Sequence, residues 1–360
     1  LNIEFKKRKH FMKTFEIIFK PLSGFGTPLK GDTLFGHLCW QAAHDEGLFG
    51  RSLNELLADY SKNPFAIISS AYPRLTDGYA LKRPDMPLDM LFDFSNLNTA
   101  DIIKKRKELK SRRWMFVRKD KGLSDLKADG LYLSDSELLE RLSVAKDTEI
   151  QRQIRKKGIK SFVSDYSQPH NTINRLTGTT GEGQFAPYTV DQAVYMPDAE
   201  LVIFAGLRED IKVEDILEAF KRIGNIGFGK DASTGLGRFE VKGYEEIDLT
   251  AIGSDEPNAC YALSPCVPEK DVCSKVFFTP FTRFGRHGDI LAKSGKPFKN
   301  PVIMADEGAV FIPEDTRVFN KPYIGTAVNR ISKIEPKAVT QGYALYIPIK
   351  VQSSRVKGEG

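Results

Sequence analysis

Two strand-and-helix units, each carrying a glycine-punctuated loop but in a different order of parts, limit what this chain can fold into more than any other feature. In residues 13–20, Phe15, Ile17 and Phe19 alternate with polar neighbours, the period of a half-buried strand, and Pro21 ends it. The loop of residues 22–31 holds Gly24, Gly26 and Gly31, after which Asp32 or Thr33 is placed to cap a helix with Leu34, Phe35, Leu38, Cys39 and Ala42 on one face. Far downstream, residues 201–207 form a compact apolar strand, and Val213, Ile216, Leu217, Phe220 and Ile223 recur at helical spacing. A loop over residues 224–237 and a closing strand over 238–242 follow. With the hairpin-like stretch 184–195, these parts predict a ferredoxin-like βαββαβ core.

Residues 72–180, between the two units, are too long and too charged for an ordinary connection and read as an inserted subdomain. Residues 243–258, with Gly253-Ser254-Asp255-Glu256-Pro257, read as a hinge. Beyond it, strand-like pieces at 275–278, 302–305, 309–312 and 342–351 predict a degenerate second ferredoxin-like domain or a β-rich one. The expected class is α+β, with domains at 12–250 (insertion about 72–180) and 251–360. Residues 1–11 read as an upstream extension or cloning remnant and stay outside the fold argument.

With 41% hydrophobic and 28% charged residues over 360, the chain can bury a substantial core. The net charge of +6 says little about nucleic acid; the distribution says more. Residues 104–121 hold ten basic and two acidic side chains, with Trp114 and Phe116 between them. Such a run either follows a phosphate backbone and stacks a base, or is a solvated helix face or loop. Arg152, Arg155, Lys156, Lys157 and Lys160 form a second basic cluster. The four cysteines, Cys39, Cys260, Cys266 and Cys273, suit a reducing cytoplasm, and their spacing fits no zinc motif, so neither metal nor cofactor is expected. No apolar run is long enough to span a membrane, and the expectation is a soluble cytoplasmic protein.

The late loop is the strongest local signal. Gly227, Gly229, Gly235 and Gly237 let backbone amides approach a phosphate, Lys230 adds charge, and Ser233 and Thr234 add hydroxyls. It follows a helix and precedes a strand, which excludes Walker and Rossmann geometry; a plain flexible connection is the other reading. Asn171 and Arg175 lie in a polar turn ahead of the hairpin. His287 sits among Arg283 and Arg286, with Lys293, Lys296 and Lys299 close behind, a set suited to clamping phosphates or to a charged surface loop.

Three blocks together resemble the RAMP subunits of type III CRISPR effector complexes, most of all the foot subunit of the Csm (type III-A) complex. They are Phe25-Gly26-Thr27-Pro28-Leu29-Lys30-Gly31-Asp32-Thr33-Leu34-Phe35-Gly36-His37-Leu38-Cys39-Trp40, the glycine loop from Gly227 to Gly237, and Phe284-Gly285-Arg286-His287-Gly288-Asp289 with residues 299–311. The resemblance implies two ferredoxin-like (RRM-like) RAMP domains, the second degenerate, with a thumb-like insertion in the first. It implies a subunit that holds the 5′ handle of crRNA and contacts the large polymerase-like subunit and a backbone RAMP subunit, with target RNA near the thumb. The residues expected at RNA are Gly26, Lys30, Asn171, Arg175, Gly227, Gly229, Lys230, Ser233, Thr234, Gly235, Arg283, Arg286, His287 and Lys293. No reactive constellation is evident, so the expected role is non-catalytic. The alternative is a metal-independent repeat-processing endoribonuclease using His37 or His44 as general base.

Overall fold

The computed structural model describes residues 12–95 and 97–352; the expected extension at 1–11 lies outside the described residues. The chain is α+β, and its sheets are antiparallel throughout. The strand Met12–Pro21 pairs on one side with Phe239–Glu246 and on the other with Leu201–Arg208. Beyond Leu201–Arg208 come Ala66–Ile68 and Tyr72–Leu75, then Gly78–Lys82, Trp114–Arg118 and Tyr132–Leu133. The central place of the first strand explains why Thr14 and Glu16 are buried as well as the alternating Phe15, Ile17 and Phe19.

The helix Val213–Ile226 lies on the face bearing Phe19, whose ring meets Phe220 at 5.1 Å; its five predicted core residues are all buried. The helix Gly31–His44 packs beside it. Its N-cap is Lys30, without a side-chain cap bond, and neither Asp32 nor Thr33 caps it. Asp32 sits inside the first turn, buried, with a different partner described below.

Residues 72–180 are not a separate subdomain. Their first four strands prolong the first sheet, the last, Val163–His170, lies in a separate ribbon, and the helix Asp135–Val144 contacts both the edge strand Tyr132–Leu133 and the helix Thr148–Lys156. Within the basic run, Lys104 to Lys107 are exposed along the helix Thr99–Leu109. Trp114–Arg118 is an inner strand with Met115, Phe116 and Val117 buried. The Trp114 indole donates to Asp135 (2.7 Å), and Lys119 pairs with buried Glu16. Trp114 and Phe116 are therefore core residues and no stacking wedge, because four apolar side chains in sequence demand burial on both sheet faces whatever charges flank them.

The stretch 184–195 also lies elsewhere than expected. Tyr188–Tyr195 pairs with Val163–His170 in a largely exposed two-stranded ribbon, while Ala66–Ile68 and Tyr72–Leu75 take the remaining place beside Leu201–Arg208.

The second half is a five-stranded sheet in the order Cys273–Phe277, Val310–Pro313, Ala259–Ala262, Tyr343–Ile349, Tyr323–Gly325, with only 3-10 turns as helical elements among its described residues. A second ribbon pairs Pro280–Arg283 with Val302–Ala305. Residues 243–258 do not form a hinge: Leu249 and Ile252 are buried, and a Cβ on Gly253 would stand 2.4 Å from the Pro348 carbonyl oxygen. The halves share one apolar core containing Tyr60, Phe65, Tyr343 and Leu345. Tyr72 donates to the Leu263 carbonyl (2.8 Å), and Tyr343 to that of Ser61 (2.6 Å). The buried Gln341 side chain accepts from the Ile68 amide (2.8 Å) and donates to the Ile68 carbonyl (2.7 Å). No helix among the described residues is long and apolar enough to cross a membrane.

Candidate nucleic-acid interface

The loop of residues 22–31 is a hub on which three distant segments converge. The glycine-rich loop meets it first. Leu22 donates to the Arg238 carbonyl (2.8 Å), Gly237 to that of Gly24 (2.7 Å), Arg238 to the Ser23 hydroxyl (2.9 Å) and Lys230 to the Thr27 hydroxyl (2.9 Å). A Cβ on Gly26 would come within 2.9 Å of the Lys230 carbonyl oxygen. The exposed ribbon meets it second: Phe25 and Ala193 exchange both backbone bonds at 2.9 Å, and the Phe25 ring stands 5.6 Å from Tyr195. The second ribbon and the turn after it meet it third, through Lys30 with Asp306 and Glu307, and Arg283 with Asp32.

The glycine loop divides into a packed part and an open part. Gly227 and Gly229 press against Leu236 and Thr27. Gly237, at φ +73°, leaves no room for a side chain, since a Cβ would lie 2.1 Å from the Phe228 carbonyl oxygen. Gly235, at φ +97°, faces open space. Between them Lys230, Ser233 and Thr234 are exposed, and the amides of Asp231, Ala232 and Ser233 have no acceptor among the described residues. Thr234 spends its hydroxyl proton on the Asp231 carbonyl (2.8 Å). Lys230, 3.7 Å from the neighbouring Asp231 carboxylate, and Arg238 are exposed cations at the rim. Unpaired amides beside cations and open glycine backbone suit a phosphate oxygen.

Register gives the exposed ribbon two unlike faces. Asp165, Ser167, Asp191 and Thr189 share one; Tyr166, Gln168, His170, Tyr188, Val190 and Val194 share the other, which carries no carboxylate. His170 and Tyr188 stack with centroids 5.4 Å apart and planes 15° apart, and Tyr166 and Tyr188 are about half exposed (52% each). Gln192, on that same face, covers Gly24, while Tyr195, on the carboxylate face, meets Phe25, so both faces reach the hub at the ribbon's root. Asn171 and Arg175 are exposed in the loop joining the two ribbon strands.

Several residues expected at RNA have other occupations. Lys30 is bound to Asp306 and to Glu307 (2.8 Å); burial opposes its charge, but the attraction of Glu307 and Asp306 prevails and raises its pKa. Glu307 itself is pushed up to about 7, by burial first. Arg283 forms a two-pronged bond to buried Asp32 and lies over the Phe281 ring. His287 is buried, bonded to the Ser332 hydroxyl (2.8 Å), its pKa lowered by desolvation and then by Lys299. In all three the charged or polar end has a partner within the chain. Arg286 and Lys293 are exposed, but among the described residues no hydrogen bond joins their turn to the glycine loop. His37 rests on the Phe228 ring (4.6 Å), and desolvation lowers its pKa to about 4.

Sequence reasoning passed over Thr27, Arg238 and the ribbon aromatics. Strand Val163–His170 gave no signal because both its faces are solvated and Pro169 interrupts it. The outer face of the second ribbon is apolar, with Phe278, Phe284 and Ile303 exposed at 42%, 73% and 70%. No group of three or more His, Cys, Asp or Glu side chains among the described residues is arranged to hold a metal.

No protein-family model matches the chain, and no curated protein sequence does. Solved structures do match. A chain of the Csm1–Csm4 cassette in complex with pppApA aligns over 95% of this chain and 99% of its own length, at 15% identity and a TM-score of 0.54. A chain of the Csm3–Csm4 subcomplex of the type III-A CRISPR-Cas interference complex aligns over 93% and 99%, at 14% identity and a TM-score of 0.51. Csm4 is the subunit common to both assemblies, and this chain has a Csm4-like fold.

Proposed function

We propose that this protein is a non-catalytic subunit of a type III CRISPR effector complex that holds the 5′ handle of crRNA at the hub of residues 22–31. The observation that carries the reading is the meeting, on that one loop, of the open glycine backbone with its unpaired amides and the exposed aromatic ribbon. Phosphates sit against the amides of residues 231–233 and the side chains of Lys230 and Arg238, while a splayed base stacks on the ribbon's uncharged face, the usual division of labour in single-stranded RNA recognition. The strand order Phe239–Glu246, Met12–Pro21, Leu201–Arg208, Ala66–Ile68 with its two helices supports a ferredoxin-like first RAMP domain. The five-stranded second half is read as its degenerate counterpart.

The ribbon Val163–His170 with Tyr188–Tyr195 takes over the thumb role expected of residues 104–121, with Asn171 and Arg175 at its end near target RNA. Partners are a large polymerase-like subunit and a backbone RAMP subunit, and the exposed apolar face with Phe284 and Ile303 suits a protein neighbour better than a phosphate backbone.

The test is a mobility-shift titration of labelled 5′-handle RNA against the same nucleotides in scrambled order. Lys230→Gln and Tyr188→Ala are expected to weaken handle binding severalfold, and the RNA to emerge uncut without metal. Equal affinity for handle and scrambled RNA, or cleavage abolished by His37→Ala, defeats the proposal.

A further inference from the structure

A second cationic surface stands near the ribbon's root, unclaimed by the site above. The helix Thr148–Lys156 begins with the Asp147 carboxylate accepting from the Ile150 amide (2.9 Å) and buries Ile154 at 7% exposure. Arg152, Arg155, Lys156, Lys157 and Lys160 are all exposed. Within residues 148–160 the one acid is Glu149, 3.9 Å from Arg152, and Asp147 caps the helix just before it. Arg155 bonds only a neutral partner, Gln151 (3.4 Å), and Lys156, Lys157 and Lys160 form no ion pair among the described residues.

Helix stability does not account for this crowd. Cations in a last turn do favour the helix dipole, but Arg152 stands three and four residues from Arg155 and Lys156, and such like-charge pairs destabilise a helix. Lys157 and Lys160 lie past its end. We infer that Arg152, Arg155, Lys156, Lys157 and Lys160 hold the phosphodiester backbone of RNA that extends beyond the handle, as a contact independent of base sequence. The inference rests on the RNA-binding reading of the hub.

Two features favour RNA over an acidic protein. No apolar side chain within residues 148–160 is exposed, whereas the centre of a protein interface is depleted in charge and rich in apolar and aromatic groups. The patch is also anchored to the hub. Two residues after Lys160, buried Phe162 contacts Tyr195 at 5.6 Å, and Tyr195 contacts Phe25 at 5.6 Å.

The test uses the full chain with all five residues changed to Gln (Arg152→Gln, Arg155→Gln, Lys156→Gln, Lys157→Gln, Lys160→Gln), its fold checked by circular dichroism. Binding of the handle RNA alone and of the handle extended with heteropolymeric nucleotides is titrated across salt concentrations. With about 0.7 of log–log slope per phosphate contact on single strands, the variant is expected to lose roughly 3 of slope and at least about tenfold in affinity for the extended RNA, while the handle alone binds as before. Unchanged affinity and slope for the extended RNA overturn the inference, and in that case a handle still weakened by Lys230→Gln leaves the hub reading standing. Loss of capture of a partner subunit, with RNA binding unaffected, overturns it in favour of an acidic protein surface. A chain for which neither the five-fold variant nor Lys230→Gln alters RNA binding defeats both.

Discussion

Arg283 grips Asp32 with two prongs, Nε 2.6 Å from Oδ2 and Nη2 2.9 Å from Oδ1, and so ties the second ribbon to the first turn of the helix Gly31–His44. Removing one partner of a buried pair leaves the other charge uncompensated, which costs about 3–5 kcal/mol. Arg283→Ala is therefore expected to lose stability of that order in urea unfolding, and Asp32→Asn with Arg283→Met to recover part of it. The salt dependence of RNA binding by folded Arg283→Ala should match the parent, since this guanidinium neutralises no phosphate.

Lys119 belongs to the same class. It closes over Glu16, which is 1% exposed, together with the Tyr79 hydroxyl. Lys119→Ala should destabilise by about 3 kcal/mol, and excising residues 104–121 should leave no soluble protein. Replacing Lys104, Lys105 and Lys107 by Gln should shift stability by no more than about 0.5 kcal/mol each.

The glycines of the late loop separate by what surrounds them. Gly237→Ala drives a methyl into the Phe228 carbonyl and should cost more stability than Gly235→Ala, where the side chain meets open space and only the positive φ is strained, at about 1 kcal/mol. Thermal unfolding of the two variants checks the order. Gly235→Val then reports on RNA: a folded variant with weakened handle binding is expected.

Two half-buried groups oppose each other in pH dependence. His37 has a pKa lowered to about 4 from 6.5, so its contribution is full above pH 6.5 and is lost as pH falls through 4. Glu307 is pushed up to about 7 from 4.5, so its contribution is full below pH 4.5 and is lost as pH rises through 7. Between pH 4.5 and 6.5 the slopes oppose, each at most about 1.4 kcal/mol per pH unit. Relative to the parent, His37→Leu should make stability fall more steeply with rising pH in this window, and Glu307→Gln should make it rise. Urea midpoints at pH 5, 5.5 and 6 read both.

The two strand-and-helix units were legible from their apolar periods: every predicted core position of Val213–Ile226 is buried, and so are Phe15, Ile17 and Phe19, although Thr14 and Glu16 between them are buried as well and the strand is not half-exposed. Cross-chain ion pairing was not legible. Lys30 and Arg283 have the composition of RNA ligands, and only their meeting with Glu307, Asp306 and Asp32, more than 250 positions away in sequence, assigns them to structure. Trp114–Arg118 was misread for a related reason, since a run of charges masks a short inner strand whose neighbours are set by pairing.

Gln341 presents its amide to Ile68 as a neighbouring strand presents its backbone, satisfying a donor and an acceptor at once. A fragment ending near residue 250 would leave both groups facing nothing, along with the apolar surface that Tyr343 and Leu345 now cover. The two halves thus form one cooperative unit: expressing the first alone should yield an aggregating or partly folded product, and the intact chain should melt in a single transition.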